Sequence, residues 1–225
     1  MFNFIIKMFL DLNNITLEIN SKIKKFYPIV VCNHISELDP FILYLIFTNN
    51  NINYRFISDK RIKNIPIFGM ISNYLNTIYI DRTNSKEALD ELNKNINPND
   101  NICIFPEGTL YYKPMIKKSN KICKKIKIQN FKNVLCPKKS GFNCISSIIK
   151  PQYITDITLN FIYSDNYPKD YIKNSNDPLT ILFLMKNPPL KIICNIKNIK
   201  VKKSDKFIID IFRNKDYELK NSTFK

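Results

Sequence analysis

The chain has 225 residues, 44% hydrophobic and 24% charged, which are the proportions of an ordinary globular protein and argue against a disordered or fibrous one. Its net charge of +16 is compatible with nucleic acid, an anionic membrane surface or an anionic substrate as a partner. The lysines are spread along the chain without a helix-turn-helix, zinc-finger or RNA-binding motif. The sequence therefore argues against a nucleic-acid-binding protein.

Residue usage is uneven within each class, with 31 lysines but only four arginines and three glycines. The retained glycines, Gly69, Gly108 and Gly141, therefore mark places where the backbone needs positive φ or close approach to another group. The six cysteines include no C-x-x-C pair and the chain has one histidine, so no zinc site is predicted. A reducing compartment is the simplest context for these thiols.

Residues 1–27 are predicted to form an N-terminal amphipathic segment, with a helix over 2–12. Its apolar residues follow helical spacing at Phe2, Ile5, Ile6, Phe9 and Leu10. Such a helix can lie in a membrane interface or pack on its own domain, and the sequence leaves both open. No run of about 18 apolar residues is present, so no membrane-spanning helix is predicted.

From residue 28 onward, short β-branched runs alternate with helical patterns. Strands are predicted over 28–32, 54–58, 76–80, 101–105, 133–136, 156–163 and 190–197. Helices are predicted over 39–48, 66–74, 85–95, 114–129, 141–149, 178–185 and 204–219. This alternation predicts a single α/β domain over 28–225, with a largely parallel central β-sheet flanked by helices.

The single histidine, His34, follows the apolar run PIVVC, at the carboxyl end of a predicted strand. Active groups collect at that end in parallel α/β sheets. Asp39 comes five residues later, where a strand-to-helix turn can fold its carboxylate back to the imidazole. A carboxylate on one ring nitrogen leaves the other nitrogen as a base for an alcohol proton. No partner nucleophile is dictated by the spacing, and Ser36 reads equally well as a helix cap, so direct attack by a substrate hydroxyl is favoured.

Three further blocks follow predicted strands. NTIYIDR ends in Arg82, and an arginine retained in so lysine-rich a chain indicates a bidentate anion contact, although an exposed charge is the alternative. ICIFPEGT supplies Glu107, Gly108 and Thr109, and the glycine permits close approach of a ligand. VLCPKKSGF supplies Lys138, which reads either as part of a phosphate-facing turn or as part of a basic loop.

These blocks together resemble the glycerophospholipid acyltransferases of the lysophosphatidic acid acyltransferase type. NHISELD, PIFGMISNYLNTIYIDR, FPEGT and VLCPKKSGF are similar, in order, to the four motifs of that family. The fourth block, YITDITLNF and the tail from PLKIICNIKNI onward resemble the eukaryotic branch that contains lysocardiolipin acyltransferase-like enzymes. The resemblance covers most of 28–223 and implies a glycerol-3-phosphate acyltransferase-like fold with an acyltransferase domain over 28–225.

The resemblance also implies residue roles. It makes His34 the general base and Asp39 its orienting partner, for attack of the acceptor hydroxyl on the thioester of acyl-CoA. It implies no metal and no cofactor, with acyl-CoA as co-substrate, a lysophospholipid as acceptor and an anionic membrane surface as further partner. The implied substrate-binding residues are Arg82, Glu107, Gly108, Thr109 and Lys138, and the implied supporting residues are Asn33, Ser36, Pro106, Pro137 and Gly141.

Departures from the family pattern limit what carries over. Leu110 stands where relatives often have arginine after FPEGT, and Lys138 stands where many have arginine, so the planar guanidinium fork is absent there. Relatives of this branch usually have hydrophobic spans around the domain, while 33 residues precede His34. The sequence leaves open a monotopic chain or spans outside this polypeptide.

The expected reaction is acylation of 1-acyl-glycerol-3-phosphate to phosphatidate. Glycerol 3-phosphate, lysophosphatidylinositol and lysocardiolipin remain alternative acceptors, and a catalytically silent membrane module that binds lipid or CoA is the alternative from another class. The expected location is a membrane, of the endoplasmic reticulum or another organelle. Acyl chain length and oligomeric state are not predicted from this sequence.

Overall fold

A computed structural model describes residues 2–21, 23–65, 68–164 and 171–222. Its strands are β1 (Thr16–Ser21), β2 (Ile29–Cys32), β3 (Arg55–Asp59), β4 (Ile78–Ile80), β5 (Ile102–Ile104), β6 (Tyr153–Ile162) and β7 (Lys191–Lys200). Its helices are α1 (Phe2–Leu12), α2 (Asp39–Asn49), α3 (Phe68–Tyr74), α4 (Ser85–Asn95), α5 (Lys113–Lys125), α6 (Lys139–Ile149), α7 (Tyr171–Asn174), α8 (Ile181–Lys186) and α9 (Phe207–Ser222), and a 3₁₀ turn spans Lys60–Asn64.

The described strands form one seven-stranded sheet in the order β1-β7-β6-β2-β5-β3-β4. Only the pairing of β6 with β7 is antiparallel among them, and every other neighbouring pair is parallel. Helices cover both faces, which is why the central strands are apolar along their whole length. The predicted class, a single α/β domain with a largely parallel sheet flanked by helices, is confirmed.

Two hydrophobic clusters lie on opposite faces of the sheet. One packs α1, α2 and α8 against the sheet, with Ile6 and Leu10 of α1 buried in it. The other contains buried residues of α4, α6 and α9. The amino-terminal segment thus packs on the domain through one side of α1, and β1 extends the sheet at its edge.

The sequence did not predict β1. This strand is an edge strand whose residues are mostly polar and exposed, so TLEINS lacks the apolar pattern of the central strands. It pairs in parallel with β7, from Thr16 opposite Lys191 to Ser21 opposite Ile196. Its position is therefore set by long-range pairing and not by its own periodicity.

The predicted strand over 133–136 is wrong. Val134, Leu135 and Cys136 are buried, as a strand would require, but the segment joins no sheet. Its backbone amides donate to side chains instead, Leu135 to a Glu107 oxygen at 2.6 Å and Cys136 to Ser119 Oγ at 2.8 Å. The segment is apolar because it is buried, and side-chain acceptors satisfy its amides in place of a neighbouring strand. Its sequence therefore has the same apolar pattern as a buried strand.

The predicted helices agree with the structure to within a few residues, and 85–95 matches α4. The helix predicted over 66–74 is observed from Phe68, while residues 66 and 67 lie outside the described part of the chain. Gly69 in this helix packs on the 3₁₀ turn, where a Cβ would collide with the Lys63 carbonyl. No helix within the described residues is long and apolar enough to cross a membrane.

Candidate active site

The parallel strands β2, β4 and β5 deliver their following residues to one edge of the sheet. His34 lies two residues after β2, Arg82 two after β4, and Phe105 directly after β5. Because parallel strands share a carboxyl edge, groups far apart in sequence meet there. The parallel topology therefore brings the predicted site residues His34 and Arg82 to the same edge of the sheet.

His34 and Asp39 are in direct contact. The imidazole Nδ1 lies 2.9 Å from Asp39 Oδ2, and the histidine side chain is 18% exposed while the aspartate is fully buried. The same carboxylate oxygen accepts from the amides of Ile35 at 2.6 Å and Ser36 at 2.9 Å. Burial raises the pKa of Asp39, while the His34 contact and the two amides oppose that rise.

Phe105, which follows β5, is a site residue that the sequence did not predict. Its ring stacks on the imidazole of His34, with centroids 4.2 Å apart and planes 20° apart. It holds one face of the imidazole while Asp39 holds Nδ1. No sequence pattern indicates this contact, because it depends on the pairing of β2 with β5, which brings the turns after the two strands together.

The Glu107 side chain is buried and joins three blocks. One carboxylate oxygen accepts from the His34 amide at 2.5 Å, and the other accepts from the Leu135 amide at 2.6 Å. Burial raises the pKa of Glu107 to about 8, although the two amides lower it. Both oxygens are thus engaged by the backbone, which gives this residue a positioning contact beside the substrate-binding role that the resemblance implies.

The supporting residues fix the strand ends. Asn33 is buried, and its side chain both donates to the Leu159 carbonyl and accepts from the Leu159 amide, each at 2.9 Å, so it continues the pairing of β2 with β6. Ser36 is buried, and its hydroxyl accepts from the Leu38 amide at 3.0 Å. Pro106 is buried and accepts the Lys138 amide at 2.8 Å, and Pro137 is buried beside it.

Two cations, Arg82 and Lys138, lie beside Gly108. Arg82 is exposed and donates to the Gly108 carbonyl at 2.6 Å, and within the described residues no carboxylate lies within 4 Å of its guanidinium. Gly108 has φ of +70°, and the Lys138 ammonium would lie 3.1 Å from a Cβ placed on it. Desolvation, with the neighbouring charges of Arg82 and Lys118, lowers the pKa of Lys138. An anion bound among these groups would relieve their mutual repulsion.

These groups line a cleft of about 690 Å³. Its polar lining includes Thr109, Asp59 and Ser72 besides the cations. Its apolar lining comes from Phe41, Phe56, Ile62, Ile65, Ile71, Leu75, Phe105, Leu110, Met115, Ile122 and Leu135. Gly141 lines a smaller adjoining cavity of about 140 Å³, where a Cβ would meet nothing within 4 Å. The main cleft suits an amphipathic ligand with an anionic group and a long apolar part.

The acyltransferase family model matches residues 14–159, and the chain belongs to this family. A 1-acyl-sn-glycerol-3-phosphate acyltransferase of Saccharomyces cerevisiae is 33% identical over 115 residues, which are 49% of this chain and 37% of the yeast protein. The matched part is therefore well under half the length of that relative.

The fold is similar to the crystal structure of the 1-acyl-sn-glycerophosphate (LPA) acyltransferase PlsC from Thermotoga maritima. The TM-score is 0.58 at 14% identity, with 100% of this chain and 82% of that chain covered. The resemblance to glycerophospholipid acyltransferases inferred from the four blocks is confirmed by the family match.

Glu107→Gln tests the raised pKa of the buried carboxylate. Because the folded-state pKa lies above the unfolded one, the folded protein binds the extra proton, and the stability contributed by Glu107 falls as pH rises from about 4.5 to about 8. Glutamine carries no charge, so we expect the advantage of wild type over the variant in free energy of unfolding to shrink over that range. Urea unfolding at pH 5, 6, 7 and 8 measures it, and an advantage that grows with pH would contradict the assignment.

Proposed function

We propose that this protein transfers an acyl group from acyl-CoA to the free hydroxyl of a lysophospholipid, most simply converting 1-acyl-glycerol-3-phosphate to phosphatidate. One observation carries the proposal, namely that the His34–Asp39 pair opens on the same cleft as the cations beside Gly108. A base and an anion site in one apolar cleft match an alcohol acceptor that carries both a phosphate and a fatty chain.

In the proposed reaction, His34 acts through Nε2, because Nδ1 faces Asp39. Nε2 removes the proton of the acceptor hydroxyl as its oxygen attacks the thioester carbonyl. The C–O bond forms, the C–S bond then breaks, and the proton on the imidazole passes to the departing CoA thiolate. General-base catalysis of this kind contributes about 10²–10⁴-fold, so positioning and oxyanion contacts must supply the rest.

An amide in the cleft supports the oxyanion part of this scheme. The backbone N–H of Thr109 donates to no acceptor among the described residues, and Thr109 lines the cleft directly after Gly108. Such a donor can stabilise the negative charge that develops on the carbonyl oxygen. The scheme uses acyl-CoA as co-substrate and assigns no step to a metal or to a further cofactor.

The acceptor phosphate is assigned to the cations beside Gly108. Arg82 is the member with a planar fork, and Lys138 supplies a second charge close by. Lysophosphatidate, glycerol 3-phosphate, lysophosphatidylinositol and lysocardiolipin all carry a phosphate. The choice among these acceptors therefore depends on what the rest of the cleft accommodates. Its apolar lining favours an acceptor with a fatty chain over glycerol 3-phosphate.

A membrane, in the endoplasmic reticulum or another organelle, is the proposed location. Exposed apolar side chains are concentrated on helices that pack on one hydrophobic cluster, and we name these the apolar face: Phe4, Met8, Leu12, Met70, Tyr74, Leu182 and Met185. Phe2 links α1 to α3, with its ring 5.6 Å from that of Tyr74. Lys7 lies between Phe4 and Met8, and Lys186 directly follows Met185, which suits an anionic lipid surface.

His34→Ala tests the catalytic role. We expect transfer from labelled acyl-CoA to fall by about 10²–10⁴-fold, because the general base is lost. The fold should remain, since the histidine packs at the cleft and outside the central core, and circular dichroism with thermal unfolding checks this. A folded variant with wild-type turnover would refute the assignment. Lipid binding without transfer to any acceptor by wild type would favour a silent lipid-binding protein.

Arg82→Lys tests the acceptor site. The variant keeps the charge but loses the bidentate fork, so we expect the KM for lysophosphatidate to rise by about tenfold while the KM for acyl-CoA changes little. Steady-state kinetics with each substrate varied in turn measures both values. Arg213→Lys, at a half-buried arginine that contacts the carbonyls of Gln129 and Asn130, is the matched control. Equal increases in both KM values for Arg82→Lys would contradict the role.

Leu182→Glu tests the apolar face. Leu182 is 72% exposed, so the charge should leave the fold intact while weakening partition onto vesicles that contain phosphatidylserine by roughly tenfold. Tyr217→Glu is the control, because Tyr217 is 68% exposed on α9, which packs on the other cluster. Cosedimentation with vesicles measures the partition. Equal losses in the two variants would show that the face does not direct docking.

A further inference from the structure

Positive charge is concentrated in one segment of the chain. Residues 108–155 contain 11 lysines and no acidic residue, so they supply +11 of the net +16, while all 19 acidic residues lie elsewhere. A general preference for lysine explains the lysines but not the absence of acids. The segment includes α5, Lys138 and α6, and it therefore borders the cleft.

Helix α5 is the most basic element of this segment, with lysine at six of its 13 positions. Its buried side carries Ser119 and Cys123, which fixes its orientation on the domain. Met115, Lys118 and Ile122 have i, i+3, i+7 spacing and line the cleft. Within the described chain, no carboxylate lies within 4 Å of any lysine of α5.

Four of the six lysines of α5 form two pairs with the same helical spacing. Lys118 lines the cleft, and Lys125 follows it by two turns on the same side of the helix; we call them the cleft pair. Lys117 and Lys124 have the same separation and fall on the other flank, where Lys124 lines a shallow groove with Asn120; we call them the outer pair. All four are exposed.

Two anionic substrates must reach the same base in the proposed reaction. The acceptor carries its phosphate near the reacting hydroxyl, which suits Arg82 and Lys138 close to Gly108. The donor carries its phosphates on the nucleotide, and the pantetheine arm separates them from the thioester. The donor's anionic end must therefore lie away from His34, toward the rim of the cleft, where α5 presents its lysines.

We propose that the cleft pair, Lys118 and Lys125, binds the phosphate groups at the nucleotide end of the acyl-CoA donor. The proposal rests on the proposed function, since it takes acyl-CoA as the donor. It separates the two anion sites of the cleft, with the acceptor phosphate beside Gly108 and the donor phosphates along α5. The same chemistry would also attract anionic lipid headgroups, so the test distinguishes the two sources.

The test compares Lys118→Gln/Lys125→Gln with Lys117→Gln/Lys124→Gln, two double variants with the same charge change on the same helix. Transfer is measured with a short-chain lysophosphatidate below its micellar concentration, so that no lipid surface is present. The donors are acyl-CoA and the matching acyl-pantetheine, which lacks the nucleotide phosphates. We expect the cleft variant to raise the KM for acyl-CoA about tenfold, a change of about 1.4 kcal/mol, and to leave that for acyl-pantetheine unchanged.

We expect the outer variant to change neither KM by more than about twofold, because exposed charges off the binding path contribute little. Equal increases in the two variants would overturn the proposal in favour of a diffuse field around the helix. An equal increase for both donors would overturn it in favour of a packing effect. A cleft variant with unchanged KM values but weaker binding to phosphatidylserine vesicles would assign the pair to lipid headgroups instead.

A binding measurement separates this proposal from the proposed function. Calorimetric titration with free CoA needs no turnover. We expect the dissociation constant for CoA to rise about tenfold in the cleft variant and to stay unchanged in the outer variant. If wild type transfers no acyl group but CoA binding still depends on the cleft pair, the site stands and the transferase function fails. Wild-type protein that transfers acyl groups and whose CoA affinity is the same in both variants would overturn the site and leave the function intact.

Discussion

The buried carboxylate of Glu107 is the contact on which the rest of the site depends. Its two oxygens accept the amides of His34 and Leu135, so one side chain holds the turn after β2 and the fourth block in fixed positions relative to the turn after β5. Two backbone hydrogen bonds reinforce that bridge, from the Lys138 amide to the Pro106 carbonyl at 2.8 Å and from the Tyr111 amide to the His34 carbonyl at 3.0 Å. The bridge works because both donors are backbone amides, which cannot rotate away from the carboxylate.

A buried ion pair also supports the strand that leads to His34. Lys215 of α9 is fully buried and paired with the buried Asp156 of β6, and its ammonium also donates to the Ile157 carbonyl at 2.5 Å and lies 3.4 Å from that of Val31. The lysine thus joins the two strands that Asn33 joins two residues later. Such a pair is costly to break, because the remaining charge would stay buried without a partner. The end of β2, from which the turn with His34 begins, is therefore held to β6 by the contacts of Lys215 and by those of Asn33.

The sequence predicted the parts of the molecule whose pattern is local. Alternation of apolar strands with amphipathic helices was enough for the fold class, and the order of the four blocks was enough for the family. It failed where long-range contacts decide, as in the polar edge strand β1 and in the segment 133–136, which is buried by side-chain acceptors. Phe105 was missed for a related reason, since its contact with His34 follows from the pairing of β2 with β5 and from no periodicity in the chain.

Under the proposed function, the uneven distribution of charge along the chain bears on how two anionic substrates can share one cleft. Like charges repel, so a donor and an acceptor that competed for the same cations would bind less well together than alone. The cleft instead offers cations at two places, Arg82 and Lys138 beside Gly108 and the lysine side of α5. Each substrate can then be neutralised separately, and the thioester and the hydroxyl can approach His34 while the phosphates remain apart. The lysine-rich composition alone does not explain this distribution of charge, because residues 108–155, which include α5, contain no acidic residue.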